Sequence, residues 1–252
     1  MQDEAILYTF APSHYCEKAR WALDLAALAY REEAWAPGLH TLLARRLAPK
    51  TTVPILRTED ACIQGSGAII DWIEAQGRAP WRMPQDDASR AESKCLEAHA
   101  DAVTGVAVRR FAYAISLSSA SNAVARNLHD GISVWQKPLA RLMWPVTRAI
   151  MIRGLRAAPT DIAPAKEEVD RELTRLDELL AGGRRFLVGD RLSRADIAVA
   201  SLIAPIARPP EHPVYRNGRE APAFVDAIAP WRTRPSILWA RAIYQDFRSK
   251  RS

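Results

Sequence analysis

The chain has 252 residues, of which 48% are hydrophobic and 25% are charged, with a formal net charge of +6. These values are ordinary for a soluble globular protein of one or two domains. The basic excess favours anionic ligands or surfaces, but no recognition motif for nucleic acid accompanies it, so we expect no nucleic-acid partner.

Three cysteines, Cys16, Cys62 and Cys95, form neither a metal-binding motif nor an even set for disulfide bonds. Three cysteines without a disulfide pattern favour a reducing compartment. The acidic start, MQDE, lacks the features of a signal peptide, and the longest apolar run, 197–207, is too short to cross a bilayer. We predict a cytoplasmic protein without a metal.

The first elements are a short buried strand and a helix, predicted within ILYTFAPSHYCEKAR, residues 6–20. The apolar run breaks at Ala11-Pro12, and the helical pattern opens after Ser13, a residue type favoured at helix N-caps. Such a turn directs backbone N–H groups and the positive end of the helix dipole to one point. We expect an anion-binding site at this corner.

The alternation of strands and helices continues to residue 76. The pattern predicts a strand at Tyr30–Trp35, a helix at His40–Leu47, strands at Thr51–Leu56 and Ala61–Ile63, and a helix at Ser66–Glu74. This order, βαβαββα, predicts an α/β sheet with partly parallel pairing.

A proline-marked linker, Gly77–Pro84, follows, and only helical patterns lie beyond it. They cover Ser89–Leu117, Ile132–Leu155, Pro164–Leu180, Ser193–Ala207 and Pro235–Phe247. We predict an α/β domain over residues 1–78 and an all-helical domain over 86–252, with a long insertion near 113–159.

Three motifs of the first domain resemble those of the cytosolic glutathione S-transferases. Residues 13–20, SHYCEKAR, resemble the glutaredoxin-like C-P-Y-C-x-x-A-K corner with serine in place of the first cysteine. Val53-Pro54 resembles the V-P pair with its cis-proline, and Ser66-Gly67-Ala68-Ile69 resembles the E/Q-S-x-A-I motif for the γ-glutamyl end of glutathione. The three occur in the family's order and spacing.

A fourth motif lies in the helical part. Residues 186–196, FLVGDRLSRAD, resemble the family's F-L-x-G-D-x-x-S-x-A-D segment. Ser193 and Asp196 have the spacing of a capping box, so this motif bears on the fold. The resemblance implies a thioredoxin-like glutathione-binding domain, an all-α C-terminal domain and a homodimer.

The resemblance also implies a glutathione transferase with glutathione as co-substrate and a role in detoxification. Ser13 would stabilise the thiolate of bound glutathione for attack on an apolar electrophile. The residues implied in binding glutathione are Thr52, Val53, Pro54, Gly65, Ser66 and His40. Gly65 departs from the family, which has Glu or Gln there. A second-substrate pocket is predicted from Phe10, Pro12, Phe111, Tyr113 and Trp144.

Two other functions remain open at this point. Cys16 stands at the second cysteine position of a glutaredoxin-like corner, so a thiol-disulfide reductase is one alternative. The other is a non-catalytic scaffold that binds a protein partner or a membrane surface. The segment Leu139–Arg156 mixes apolar residues with four arginines. It predicts an amphipathic helix with a solvated basic face, a substrate lid or a membrane-surface contact.

Overall fold

The computed structural model describes residues 5–81, 86–118, 123–215 and 221–248. The chain divides into two compact units. The first combines Met1–Ala79 with Asn122–Met151, and the second combines Pro80–Ser121 with Ile152–Ser252.

A four-stranded mixed sheet forms the centre of the first unit. Its elements are β1 (Ala5–Thr9), α1 (His14–Leu25), β2 (Tyr30–Ala34), α2 (Leu39–Leu47), β3 (Ile55–Arg57), β4 (Cys62–Gln64) and α3 (Ser66–Ala75). The strand order is β2-β1-β3-β4, with β1 parallel to β2 and antiparallel to β3. This arrangement confirms the predicted thioredoxin-like order.

Two observations refine the predicted elements. The strand expected over Thr51–Leu56 begins only at Ile55, because Pro54 has no N–H to donate to a ladder. The Val53–Pro54 peptide bond is cis, as the resemblance implied. Residues 51–54 therefore form a loop that leads into the start of β3.

The segment 123–151 belongs to the first unit, whereas the sequence analysis placed it in the helical domain. It contains α6 (Ala123–Leu128) and most of α7 (Gln136–Gly154). Ile132, expected to start a helix, instead forms a parallel bridge with Ala34 at the end of β2. Since β2 lies at the edge of the sheet, this contact covers backbone groups that would otherwise be open.

Gln136 fastens the start of α7 to the sheet. Its buried side chain accepts a hydrogen bond from the Ala36 N–H at 2.9 Å and donates to Ser133 Oγ at 2.7 Å. Ala36, Ile132 and Ala140 pack in one apolar cluster beside these bonds. The insertion is thus held by both hydrogen bonds and apolar contacts.

The second unit is helical, as predicted. Its helices are α4 (Asp87–His99), α5 (Gly105–Ser118), α8 (Ile162–Leu179), α9 (Arg194–Ala207), α10 (Pro222–Ile228) and α11 (Pro235–Phe247), with short 3-10 turns at Pro159–Asp161 and Ala229–Trp231. A π-helical turn, Ala100–Thr104, divides the single helix expected over Ser89–Leu117. None of the helices in the described ranges is long and apolar enough to span a membrane.

The predicted capping box at the start of α9 is present. Asp196 accepts hydrogen bonds from the Ser193 N–H and the Leu187 N–H, each at 2.8 Å. All of these groups are buried, and α9 is buried along its whole length. The fourth motif is therefore a structural device at the centre of the second unit.

We expect Gln136→Met to lower the free energy of unfolding by about 1–3 kcal/mol, because the buried Ala36 N–H loses its acceptor. Urea denaturation measures the change. Lys137→Met is the matched control, since the neighbouring Lys137 is exposed. Equal stabilities of the two variants would contradict the role assigned to Gln136.

Candidate active site

Ser13 caps the N-terminus of α1, where β1 turns into the helix. Its Oγ accepts from the Cys16 N–H at 3.3 Å, and its own N–H donates to Phe10 O at 3.1 Å. Ser13 is half-buried, while Cys16 is fully enclosed. The corner therefore presents a hydroxyl and encloses its thiol.

Burial raises the pKa of the Cys16 thiol, and the lowering effects of Arg20 and the Ser13 hydrogen bond do not reverse this. A raised pKa favours the protonated thiol, which is a poor nucleophile. Cys16 thus has the environment of a core residue. Cys62 and Cys95 are exposed.

An ion pair between buried Arg20 and Glu32 of β2 lies beneath the corner. The Arg20 guanidinium contacts the Glu32 carboxylate through Nε at 2.9 Å and Nη2 at 2.7 Å. Nη2 also lies 3.3 Å from the carbonyl oxygens of Phe10 and Ala11. Arg20 therefore joins α1 and β2 to the backbone of the turn that precedes Ser13.

Thr9 completes this network by donating its hydroxyl to Glu32 Oε1 at 2.6 Å. Burial acts to raise the pKa of Glu32, but the Arg20 charge and these hydrogen bonds outweigh it and lower the pKa. Sequence reasoning missed Thr9 and Glu32. The available signal was a charged pair, Glu32-Glu33, within a short strand whose partner strand is apolar.

Tyr8 is a packing residue of the first unit. It is buried, and its ring stacks on Trp35 with centroids 4.4 Å apart.

The cis-proline loop is held from the next strand by Gln64. Its Nε2 donates to Lys50 O at 2.7 Å and Thr52 O at 2.8 Å, while its Oε1 accepts from the Lys50 N–H at 3.0 Å. The Gly65 N–H donates to Pro54 O at 2.9 Å. These bonds connect residues 50–54 with the start of α3.

The departure at Gly65 has a conformational reason. Gly65 adopts φ 104°, a region that side chains rarely occupy, so Glu or Gln would be strained in this backbone. As the N-cap of α3, Gly65 supplies no side-chain acceptor to the first turn. The N–H groups around Ser66 are thereby left for another acceptor.

The ring of His40 lies beside the corner, next to Phe10. It meets the Phe10 ring edge-on with centroids 4.7 Å apart, and its Nδ1 accepts from the Gly38 N–H at 3.0 Å. Burial lowers the pKa of His40 to about 4, so the ring is neutral at pH 7. It can offer a carboxylate an Nε2–H donor but not a positive charge.

The sheet register brings most of the predicted residues to one end of the sheet, where β1 ends and β3 begins. β1 pairs with β3 through Tyr8 and Ile55, so continuing this antiparallel register by one step places Pro54 opposite Thr9. Phe10, Pro12, Ser13 and His40 lie around the end of β1, while Val53, Pro54, Gly65 and Ser66 lie around the adjoining end of β3 and the start of α3.

The predicted second-substrate residues are divided between the two units. Phe111 is a core residue of the second unit, enclosed by Trp231 and Phe224, rather than the pocket residue expected from the sequence. Tyr113 lies in α5 of that unit. Trp144 lies in α7, with its ring edge-on to His129 at 5.7 Å.

Comparison with known proteins decides the family. The model of the glutathione S-transferase N-terminal domain matches residues 7–81, and the model of the C-terminal domain matches residues 142–228. The chain belongs to the glutathione S-transferase family. No curated protein was found to match the chain.

Solved glutathione transferases share the fold at low identity. The transferase GSTFuA3 from Phanerochaete chrysosporium aligns over 100% of both chains at 17% identity and a TM-score of 0.65. Human glutathione-S-transferase T1-1 aligns over 97% of this chain and 84% of its own at 18% identity and a TM-score of 0.63. A Methylobacterium radiotolerans transferase in complex with glutathione sulfonate aligns over 93% of each chain at 20% identity and a TM-score of 0.54.

Membership of the glutathione S-transferase family supports a function of the glutathione transferase type. Within the ranges that the structure describes, no group of three or more His, Cys, Asp or Glu residues could hold a metal ion.

We expect Glu32→Met to destabilise this glutathione S-transferase by about 1.5–3 kcal/mol, because the buried Arg20 guanidinium would lose its charge-assisted hydrogen bonds to the Glu32 carboxylate. The double variant Arg20→Met/Glu32→Met should recover most of the loss. Chemical denaturation measures both. Arg31→Met, which breaks an exposed pair with Glu33, is the control and should cost under about 1 kcal/mol. If Glu32→Met is as stable as Arg31→Met, the role assigned to the Arg20–Glu32 pair is refuted.

His40 should make stability depend on pH. Its pKa is about 4 in the fold against about 6.5 when unfolded, so its contribution is complete above pH 6.5 and is lost as the pH falls towards 4. His40→Asn keeps an acceptor near the Gly38 N–H but does not titrate. Urea denaturation at several pH values should show a larger loss between pH 7 and pH 4.5 in the wild type. Parallel curves would contradict the burial of a neutral His40.

Proposed function

We propose that this protein is a glutathione transferase in which the Ser13 hydroxyl activates the thiol of bound glutathione for attack on an apolar electrophile. One observation carries the proposal: the half-buried hydroxyl of Ser13 stands at the N-terminus of α1, whereas the thiol of Cys16 is enclosed. Of these two side chains, only the hydroxyl is accessible to a ligand.

The energy required is within reach of this arrangement. A free thiol has a pKa near 8.5 and is mostly protonated at pH 7. Lowering that pKa by ~2 units needs about 2.7 kcal/mol. A charge-assisted hydrogen bond from Ser13 contributes roughly 1.5–3 kcal/mol, and the dipole of α1 adds roughly 0.3–1 kcal/mol.

Glutathione would lie along the edge where β1, β3 and α3 meet. The Val53 backbone would bind its cysteinyl part, with Thr52 and Pro54 forming the supporting loop. Ser66 would bind the γ-glutamyl carboxylate through its hydroxyl and the free first turn of α3, which Gly65 leaves uncapped. His40, neutral at pH 7, would donate one hydrogen bond to the glycyl carboxylate.

In the reaction, the thiolate sulfur forms a bond to an electrophilic atom of the second substrate, and the leaving group departs with the electron pair of the bond that breaks. Before the attack, the thiol of glutathione releases its proton to water, and the Ser13 hydroxyl keeps its own proton and donates a hydrogen bond to the resulting thiolate. Phe10 and Pro12 offer apolar surface beside Ser13 for this substrate, and Trp144 of the same unit remains a candidate to contact it. We further propose a cytoplasmic homodimer active in detoxification.

Ser13→Ala should lower turnover with an aryl halide electrophile by about a hundredfold, the rate equivalent of the ~2.7 kcal/mol above. It should also raise the pKa of bound glutathione, read from thiolate absorbance in a pH titration, while the dissociation constant of glutathione changes little. Ser13→Thr is the matched control, because it retains a hydroxyl. Wild-type turnover in Ser13→Ala would refute the assignment.

The two alternatives give different results with the same proteins. A thiol-disulfide reductase would lose disulfide exchange in Cys16→Ser, but the burial and raised pKa of Cys16 speak against it. A non-catalytic scaffold would show no binding of millimolar glutathione by calorimetry. The exposed apolar surface of α7 is the observation that favours an added binding role.

A further inference from the structure

The outer side of α7 exposes an unusual amount of apolar surface. Five residues recur at helical spacing and form one face, which we call the α7 face: Leu139, Leu142, Met143, Val146 and Ile150. Leu142 is 77% exposed and Ile150 is 66% exposed. Val134 and Trp135, at 80% and 62%, extend the apolar surface just before the helix.

The α7 face belongs to a segment with charge of a single sign. Residues 131–160 contain Lys137, Arg141, Arg148, Arg153 and Arg156 but no aspartate or glutamate, although the whole chain has 29 acidic residues. Lys137 and Arg141 follow at a spacing of four and are exposed. They therefore form a basic row on the same helix, away from the apolar residues.

The helix is held firmly enough to present this face. Gln136 bonds to the Ala36 N–H, Ile132 bridges to Ala34, and Ala140 packs in the same cluster. The anchoring residues of α7, Gln136 and Ala140, are buried and are not part of the α7 face. The α7 face can therefore be covered by another surface while the contacts of α7 with the β2 region stay in place.

We propose that the α7 face binds the surface of an anionic lipid bilayer. A helix with one apolar face and basic residues on its polar side suits the boundary between acyl chains and acidic headgroups, where apolar burial and charge attraction add. A second copy of the chain fits less well, because a symmetric contact through this face would bring two all-basic segments together. The helix lies on the bilayer surface and does not span it.

Co-sedimentation of the full-length protein with lipid vesicles tests the proposal. We expect binding to vesicles of phosphatidylcholine with phosphatidylglycerol, little binding to pure phosphatidylcholine, and weaker binding at 0.5 M salt. Lys137→Gln/Arg141→Gln should weaken partitioning by about thirtyfold. Leu142→Asn/Ile150→Asn should weaken it by at least about tenfold.

Matched controls lie elsewhere on the surface. Arg57→Gln/Arg78→Gln removes two exposed charges outside α7, and Leu238→Asn removes an exposed leucine of α11. Both should bind vesicles as the wild type does. All of these side chains are exposed, so we expect every variant to fold. Circular dichroism and urea denaturation check this.

Three results would overturn the proposal. The first is no binding of the wild type to anionic vesicles at low salt, and the second is equal binding by the α7 variants and the controls. The third is a fall in molar mass of Leu142→Asn/Ile150→Asn in light scattering, without vesicle binding by the wild type. That result would make the α7 face a contact between two copies. Glutathione binding and turnover are measured separately, so failure here leaves the transferase proposal unaffected.

Discussion

The ion pair of buried Arg20 with Glu32 is the interaction on which the corner at Ser13 depends. A guanidinium in this position must be neutralised, and Glu32 does so from the neighbouring strand while Thr9 binds the same carboxylate. The remaining donors of Arg20 reach the carbonyl groups of the turn before Ser13. The position of the Ser13 hydroxyl is thus set by an ion pair behind it, because a buried charge tolerates little displacement.

Near this corner, the glycine at position 65, where the family has Glu or Gln, is explained by the backbone conformation. Gly65 replaces a polar side chain, and its positive φ shows that the backbone there suits glycine. Gln64, one residue earlier, uses its amide to fasten the loop before the cis-proline. The wall opposite Ser13 therefore relies on backbone groups around Val53, Pro54 and Ser66.

The insertion shows how one segment can serve the fold and offer a second surface. Its inner side closes the edge of the sheet through Ile132 and Gln136, and this explains why its first part belongs to the α/β unit. Its outer side keeps Leu142 and Ile150 exposed. An apolar face that folding leaves open is a feature that association normally covers.

The sequence by itself determined the order of strands and helices over residues 5–75 and the capping box at Ser193, because these depend on local spacing, while the cis-proline followed from the resemblance of Val53-Pro54 to a family motif. It also indicated Ser13, through a motif at a strand-to-helix turn. Only the tertiary structure decided the partner of Arg20, the enclosure of Cys16 and Phe111, the neutral state of His40 and the docking of 123–151 on β2. Each of these depends on contacts between residues far apart in the chain or on burial, which local patterns do not encode.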